Sequence, residues 1–325
     1  MKKNWLLFLL SSVLVFALAA CQQDGPKLKE TYTSAYKKLM NAETYEFSSD
    51  IGLKVDVSNL SGAEDQKAAD MINNAKLTIS GKTNTKTKQS EVVFKGKINV
   101  MGKPMNFDIP VYMDEKKQIG YIKLDSIIEN FGPIIGSKLG LDVTKLKGKY
   151  LEIPLDEMKT ASKETEKMQN DLVKTLQKVV DSISDDKFEK EDLTDKEKKQ
   201  GATQKITVSF QDEKIKDIMM KMMDTVKQTT GGTTNKEDLE KVKFENFKVT
   251  STFDDKDNFL TQDLSMKMAF DQKDYPKSFT ITTSTSYKNI NGKVTFSAKP
   301  KKDEIVTMSE LQGMPANGMM QPSGF

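Results

Sequence analysis

The chain has no histidine and no arginine, and one cysteine in 325 residues. All 50 of its basic residues are lysine. Without histidine it lacks the usual general base and the commonest metal ligand. Ser-His-Asp and Cys-His nucleophilic systems are therefore ruled out. Without arginine there is no bidentate fork for phosphate or carboxylate. A single cysteine excludes an internal disulfide and a cysteinyl metal cluster. No glycine-rich phosphate loop or other catalytic motif is found, so catalytic, metal and cofactor residues are all expected to be none. The sequence reads as that of a non-enzyme.

Lysine balances acid almost evenly, and the formal net charge is +3. That balance gives no case for a nucleic-acid partner. The acidic turn Asp254-Asp255-Lys256-Asp257-Asn258 has too few ligands and no glycine for a Ca²⁺ loop, and reads as a hairpin turn.

The lone cysteine has a particular setting. Lys2 and Lys3 precede an apolar run from Trp5 to Leu18. At about fourteen residues the run is short of the ~20 needed to span a bilayer. A charged start, a short apolar middle and small residues before a cut describe an export signal. Leu18-Ala19-Ala20-Cys21 resembles the lipobox of bacterial lipoproteins. That resemblance implies diacylglyceryl and palmitate chains on Cys21, cleavage before it, and a protein on the extracytoplasmic face of the cell membrane. One acyl chain holds a protein only marginally, whereas two anchor it stably.

Behind a polar spacer at 22–26, residues 27–41 place Leu28, Tyr32, Ala35, Tyr36 and Leu39 on one helical stripe. Successive period-two segments follow. Ile51, Leu53, Val55 and Val57 alternate with polar residues, as do Val92 to Val100 and Met105 to Met113. Short turns between them imply an antiparallel meander. Residues 126–141 are apolar but punctuated by Gly132, Pro133, Gly136 and Gly140, and read as short helical turns. Residues 156–183 read as a long amphipathic helix and 185–201 as a solvated connector. A methionine-rich helix spans 212–227, and three further strands run through Phe247–Phe253, Leu264–Phe270 and Phe279–Tyr287. Residues 299–325 are expected to be a disordered tail.

These patterns imply an α+β fold of about nine to ten strands. A sheet that wide must curl or be covered by the amphipathic helices. The stretch Ala35-Tyr36-Lys37-Lys38-Leu39-Met40-Asn41-Ala42 leads into Tyr45-Glu46-Phe47. With Gly148-Lys149-Tyr150-Leu151-Glu152-Ile153 and Tyr287-Lys288-Asn289-Ile290-Asn291, it resembles the LolA/LppX-like superfamily of envelope lipoproteins and carriers. The resemblance covers residues 27–298 as one domain. It implies a strongly curved antiparallel half-barrel packed on helices, with an apolar cavity for acyl chains or lipid-anchored cargo.

Two stretches are candidates to line such a cavity. One is Ile215, Ile218, Met219, Met222, Met223 and Val226, since methionine adapts to irregular apolar ligands. The same stripe serves equally as core packing. The other is Phe131, Ile134 and Ile135, in a segment whose glycines permit either a lid or a packed connection. The expected partners are the bilayer through Cys21, a lipid or lipidated ligand, and an envelope protein. The alternative function is a membrane-tethered interaction or sensing module without a small ligand. Cys21→Ser is expected to abolish incorporation of labelled palmitate and to release the protein from membranes; retained label would show that the lipobox is not used.

Overall fold

Alternating strands joined by short polar turns pair with their neighbours in sequence, and this rule builds most of the molecule. A computed structural model describes residues 25–312 except 101–102, 140–141, 156–177, 179, 211–212, 214, 221–240 and 273–274. The first half runs α1 (Gly25–Met40), β1 (Thr44–Asp56), α2 (Ala63–Asn73), β2 (Lys76–Asn84), β3 (Gln89–Val100), β4 (Lys103–Asp114), β5 (Ile119–Lys123), α3 (Asp125–Leu139) and β6 (Tyr150–Pro154). The second runs β7 (Phe188–Lys190), α4 (Asp195–Lys199), β8 (Gln204–Ser209), β9 (Val242–Phe253), β10 (Phe259–Phe270), β11 (Ser278–Lys288), β12 (Ile305–Val306) and α5 (Met308–Gln312).

All twelve strands form one open sheet in the order β12-β6-β5-β4-β3-β2-β1-β11-β10-β9-β8-β7. The fold is α+β with a curved sheet, as expected, but has twelve strands rather than nine or ten. The two extra strands are its edges, β7 of three residues and β12 of two. Segments so short carry no periodicity for a sequence to display. Pairing is antiparallel except between β12 and β6. The two halves meet along β1 and β11, in register from Glu46↔Lys288 to Asp56↔Ser278.

The main core lies on one face of β1 and β8–β11. Helix α1 covers it with Leu28, Tyr32, Ala35 and Tyr36, all buried. The Tyr32 ring meets Phe188, Phe253 and Phe259 at centroid separations of 5.9, 5.9 and 5.3 Å. Such pairs add about 0.5–1.5 kcal/mol each beyond burial. A polar bridge crosses this apolar region. Gln262 donates to the Tyr32 hydroxyl at 3.1 Å and accepts from the Tyr287 hydroxyl at 2.7 Å. Buried and satisfied, it fixes helix to sheet where an unpaired amide would be costly.

Three segments depart from expectation. Residues 125–139 form one helix despite Gly132 and Pro133. The helix is tied to β4, with Ser126 Oγ accepting from the Asp108 N–H at 2.9 Å and Asn130 Nδ2 donating to the Asn106 carbonyl at 2.6 Å. Tertiary contacts of this kind override the low helix propensity of glycine and proline. Residues 185–201 hold β7 and α4 rather than a solvated connector. Phe188 is fully buried, and Thr194 and Glu197 form a capping box. Charge around a single anchoring phenylalanine hid the strand.

The third departure concerns residues 299–312, expected without structure. After β11 the chain crosses the outer face of the first half as a strap. Lys82 donates to the Thr295 carbonyl at 2.9 Å, and Phe296 meets Tyr112 edge-on at 5.7 Å. Glu91, 2% exposed, accepts from the Ala298 N–H at 2.7 Å, the Ser297 hydroxyl at 2.8 Å and the Ser297 N–H. The strap then supplies β12 and α5; residues 313–325 lie outside the described residues. Lys- and Pro-rich composition masked a segment held by a buried carboxylate at 297–298 and by pairing with β6 at 305–306. Glu91→Ala is expected to lower unfolding stability by about 3 kcal/mol in urea titrations, because it orphans buried donors. Limited proteolysis should then cut first within 293–304.

Candidate apolar binding face

The inner face of the sheet is largely apolar in both halves, but it is not evenly covered. In the second half Val249, Phe253, Leu264, Met266, Met268, Phe279 and Ile281 are all buried, none more than 4% exposed. The corresponding positions in the first half are Leu77 and Ile79 on β2, Val92, Phe94 and Ile98 on β3, and Met105, Phe107, Ile109 and Val111 on β4. Their register places them on the same side. Ile79 stands opposite Phe94 and Phe94 opposite Ile109, while Val92 stands opposite Val111 and Ile98 opposite Met105. None of these nine is buried, and Phe94 is 38% exposed.

The partly exposed face has definite dimensions. Six residue steps separate Met105 from Val111, or about 20 Å at ~3.4 Å per residue. Three strands at ~4.8 Å spacing make it about 10 Å wide between backbone axes. The Asn73 side chain, on α2, bonds the Val55 N–H at 2.6 Å and its carbonyl at 3.0 Å, fixing that helix at one end of the sheet. Helix α3 stands beside β4. Its Ile127 and Ile128 pack on a small second core of Leu124, Leu146 and Val306.

The residues singled out from the sequence fall in different places. Ile215, Ile218 and Met219 are buried in the main core. Met222, Met223 and Val226 lie outside the described residues, as do Leu18, Ala19, Ala20 and Cys21. Phe131 is 43% exposed on α3, and Ile134 and Ile135 follow it in the same helix, their side chains outside the described residues. The face residues of β3 and β4 were read only as strand positions. Their alternation is no different from that of β9–β11, so it held no signal of which half would be left uncovered.

Among the described residues no group of three or more His, Cys, Asp or Glu side chains is placed to hold a metal. Asp254 is committed to its turn, accepting from the Lys256 N–H at 2.9 Å and from Asn258 N and Nδ2 at 2.8 and 2.9 Å. Burial raises the Asp254 pKa, but these hydrogen bonds outweigh it and hold the carboxyl below the usual range. Burial pushes the Tyr36 hydroxyl up to about 12. Two open grooves have mixed linings in which charged side chains stand beside apolar surface. One, of about 1110 Å³, follows α1 past Lys29, Lys37, Asp185 and Lys256. The other, of about 750 Å³, crosses the outer face at Asp50, Lys76, Lys248 and Asp263.

The open twelve-stranded sheet and its half-covered inner face can be set beside known proteins. No protein-family model matches the chain, and no curated protein matches it by sequence. The chain is similar to the lipoprotein LppX of Mycobacterium tuberculosis. The likeness covers 84% of this chain and 99% of LppX, with 9% identity and a TM-score of 0.35. A DUF1329 family protein from Desulfovibrio piger is more distant, at 6% identity and a TM-score of 0.14, over 85% of this chain and 96% of that one. The resemblance read from the sequence was to the superfamily that takes its name from LppX. At these values neither likeness bears on ligand or mechanism. Among the described residues no helix is long and apolar enough to cross a membrane.

The two halves of the face should answer differently to a charge. Val249→Asp is expected to abolish cooperative folding, since it buries an unpaired carboxylate. Ile109→Asp is expected to cost about 1 kcal/mol or less in the same urea titration, because its site reaches water. Equal losses would show that the first-half face is core.

Proposed function

We propose that this chain is a lipoprotein anchored through diacylglyceryl-Cys21 on the extracytoplasmic face of the cell membrane. We further propose that the apolar face of β2–β4 receives the acyl chains of a membrane lipid or lipidated molecule. The observation that carries this reading is the contrast in burial. One sheet presents the same apolar face in both halves, yet only β8–β11 is sealed. Nine neighbouring apolar side chains left partly open form a patch of the kind that marks a binding site.

The dimensions suit an acyl chain. A length of about 20 Å exceeds half of the ~30 Å hydrocarbon core of a bilayer, which is one leaflet's share. Burying such a chain from water is worth about 0.8 kcal/mol per CH₂. Taken from the bilayer the net change is near zero, since both environments are apolar. A receptor of this kind needs no strong polar grip, and the described face supplies none.

The anchor supports the same reading. Three residues, Gln22, Gln23 and Asp24, separate Cys21 from α1. At ~3.5 Å per residue the start of α1 lies within about 14 Å of the lipidated cysteine. The folded domain is therefore held close to the bilayer that holds its ligand. A receptor of this kind has no need of catalysis, in keeping with the missing histidine and arginine.

Native mass spectrometry of the signal-less protein, purified from cells without detergent, tests the ligand. The expected spectrum shows a mass excess equal to a diacyl lipid, lost in the folded Ile109→Asp variant. A wild-type protein free of lipid, with one stoichiometric protein partner in its place, would overturn the reading and favour a tethered interaction module.

A further inference from the structure

Two glycines interrupt the apolar face, Gly81 on β2 and Gly96 on β3. A glycine inside a strand costs about 0.5–1 kcal/mol relative to alanine. Neither has the positive φ that would require glycine for its backbone. What each position lacks is room. A Cβ on Gly96 would fall 2.6 and 2.7 Å from Cε1 and Cε2 of Phe107, its partner on β4. A Cβ on Gly81 would fall 2.8 Å from Cζ of Phe47, its partner on β1. Both rings therefore lie across the neighbouring strand, in the space a side chain would take. By contrast, a Cβ on Gly120 of β5 would meet Leu155 at 3.4 Å and the carbonyls of Ile153 and Tyr112 at 3.8 and 3.9 Å, all ordinary contacts.

The placement of the two pairs matters for a ligand. Side chains in strands ordinarily stand away from the sheet. A phenylalanine laid over glycine lowers the floor at that point. Gly81 stands opposite Val92, four residues before Gly96 on the adjacent strand. The two low points are thus about 14 Å apart along the strands. Between them runs the row Ile79, Phe94 and Ile109.

Resting on the acyl-chain reading above, we infer that Gly81 and Gly96 set the chain length the face accepts. Each glycine folds a ring down, and together they make a trough long enough for a long acyl chain. A side chain at Gly96 lifts the Phe107 ring and closes one end. Short chains still fit between the remaining wall and the Gly81 end; long chains lose contact over their last methylenes.

Binding of dilauroyl- and distearoyl-phosphatidylglycerol, measured by native mass spectrometry on the signal-less protein, separates the possibilities. For Gly96→Val, the ratio of distearoyl to dilauroyl occupancy is expected to fall about tenfold, the ~1.4 kcal/mol that two lost methylenes represent. Phe107→Ala in the Gly96→Val background should restore the ratio. If Gly96→Val does not fold, Gly96→Ala should move the ratio the same way and Phe107→Ala alone the opposite way. Wild-type protein that binds neither lipid overturns both the receptor reading and this inference. Wild-type protein that binds both, with a ratio unchanged in the folded variants, overturns the glycine inference alone.

Discussion

The long strands place alternate side chains on one largely apolar face, and in a sheet twelve strands wide that face must meet something apolar. Most of the architecture follows from how that demand is met. Over β8–β11 it is met by α1, by the buried helical positions Val180, Ile215, Ile218 and Met219, and by Ile183, which join one continuous core. Over β2–β4 the same alternation is left partly open. Both faces have the chemistry of a core, but only the covered one has the burial. Apolar surface removed from water is worth about 25 cal/mol per Å². A ligand with acyl chains can supply on binding what the fold has not taken up.

The open half must hold its shape without a full core of its own. Three devices provide for this. The long β1–β11 pairing welds it to the buried half. The strap after β11 crosses its outer face, held by Glu91 and closed by the parallel β12–β6 pair. Helix α3 is tied to the backbone of β4 through Ser126 and Asn130. Hydrogen bonds and edge pairing thus rigidify one face while leaving the other free. A binding face on strands is also better defined than one on loops.

Much of the fold was legible in the sequence because it rests on periodicity. Leu28, Tyr32, Ala35 and Tyr36 recur at helical spacing and are buried as a stripe. The long strands show their period of two and pair in chain order. What escaped was short or held from afar. A strand of two or three residues has no period to show. The strap is held by Glu91 at Ser297 and Ala298 and by β6 at β12, partners far away in the chain, and no local composition reveals that. Helix α3 runs through Gly132 and Pro133 because of partners on β4.

The candidate site divides in the same way. The lipobox around Cys21 is local chemistry, a contiguous arrangement of small residues before a thiol, and sequence suffices to raise it. The methionine stripe was equally visible, but visibility did not decide its place; Met219 is packed in the main core. The sequence by itself determined the long strands and which side of each is apolar. Only the tertiary structure decided which part of that face is sealed and which stays open. The reason is physical: alternation specifies which side of a strand is apolar, whereas coverage depends on where distant helices and the strap come to rest.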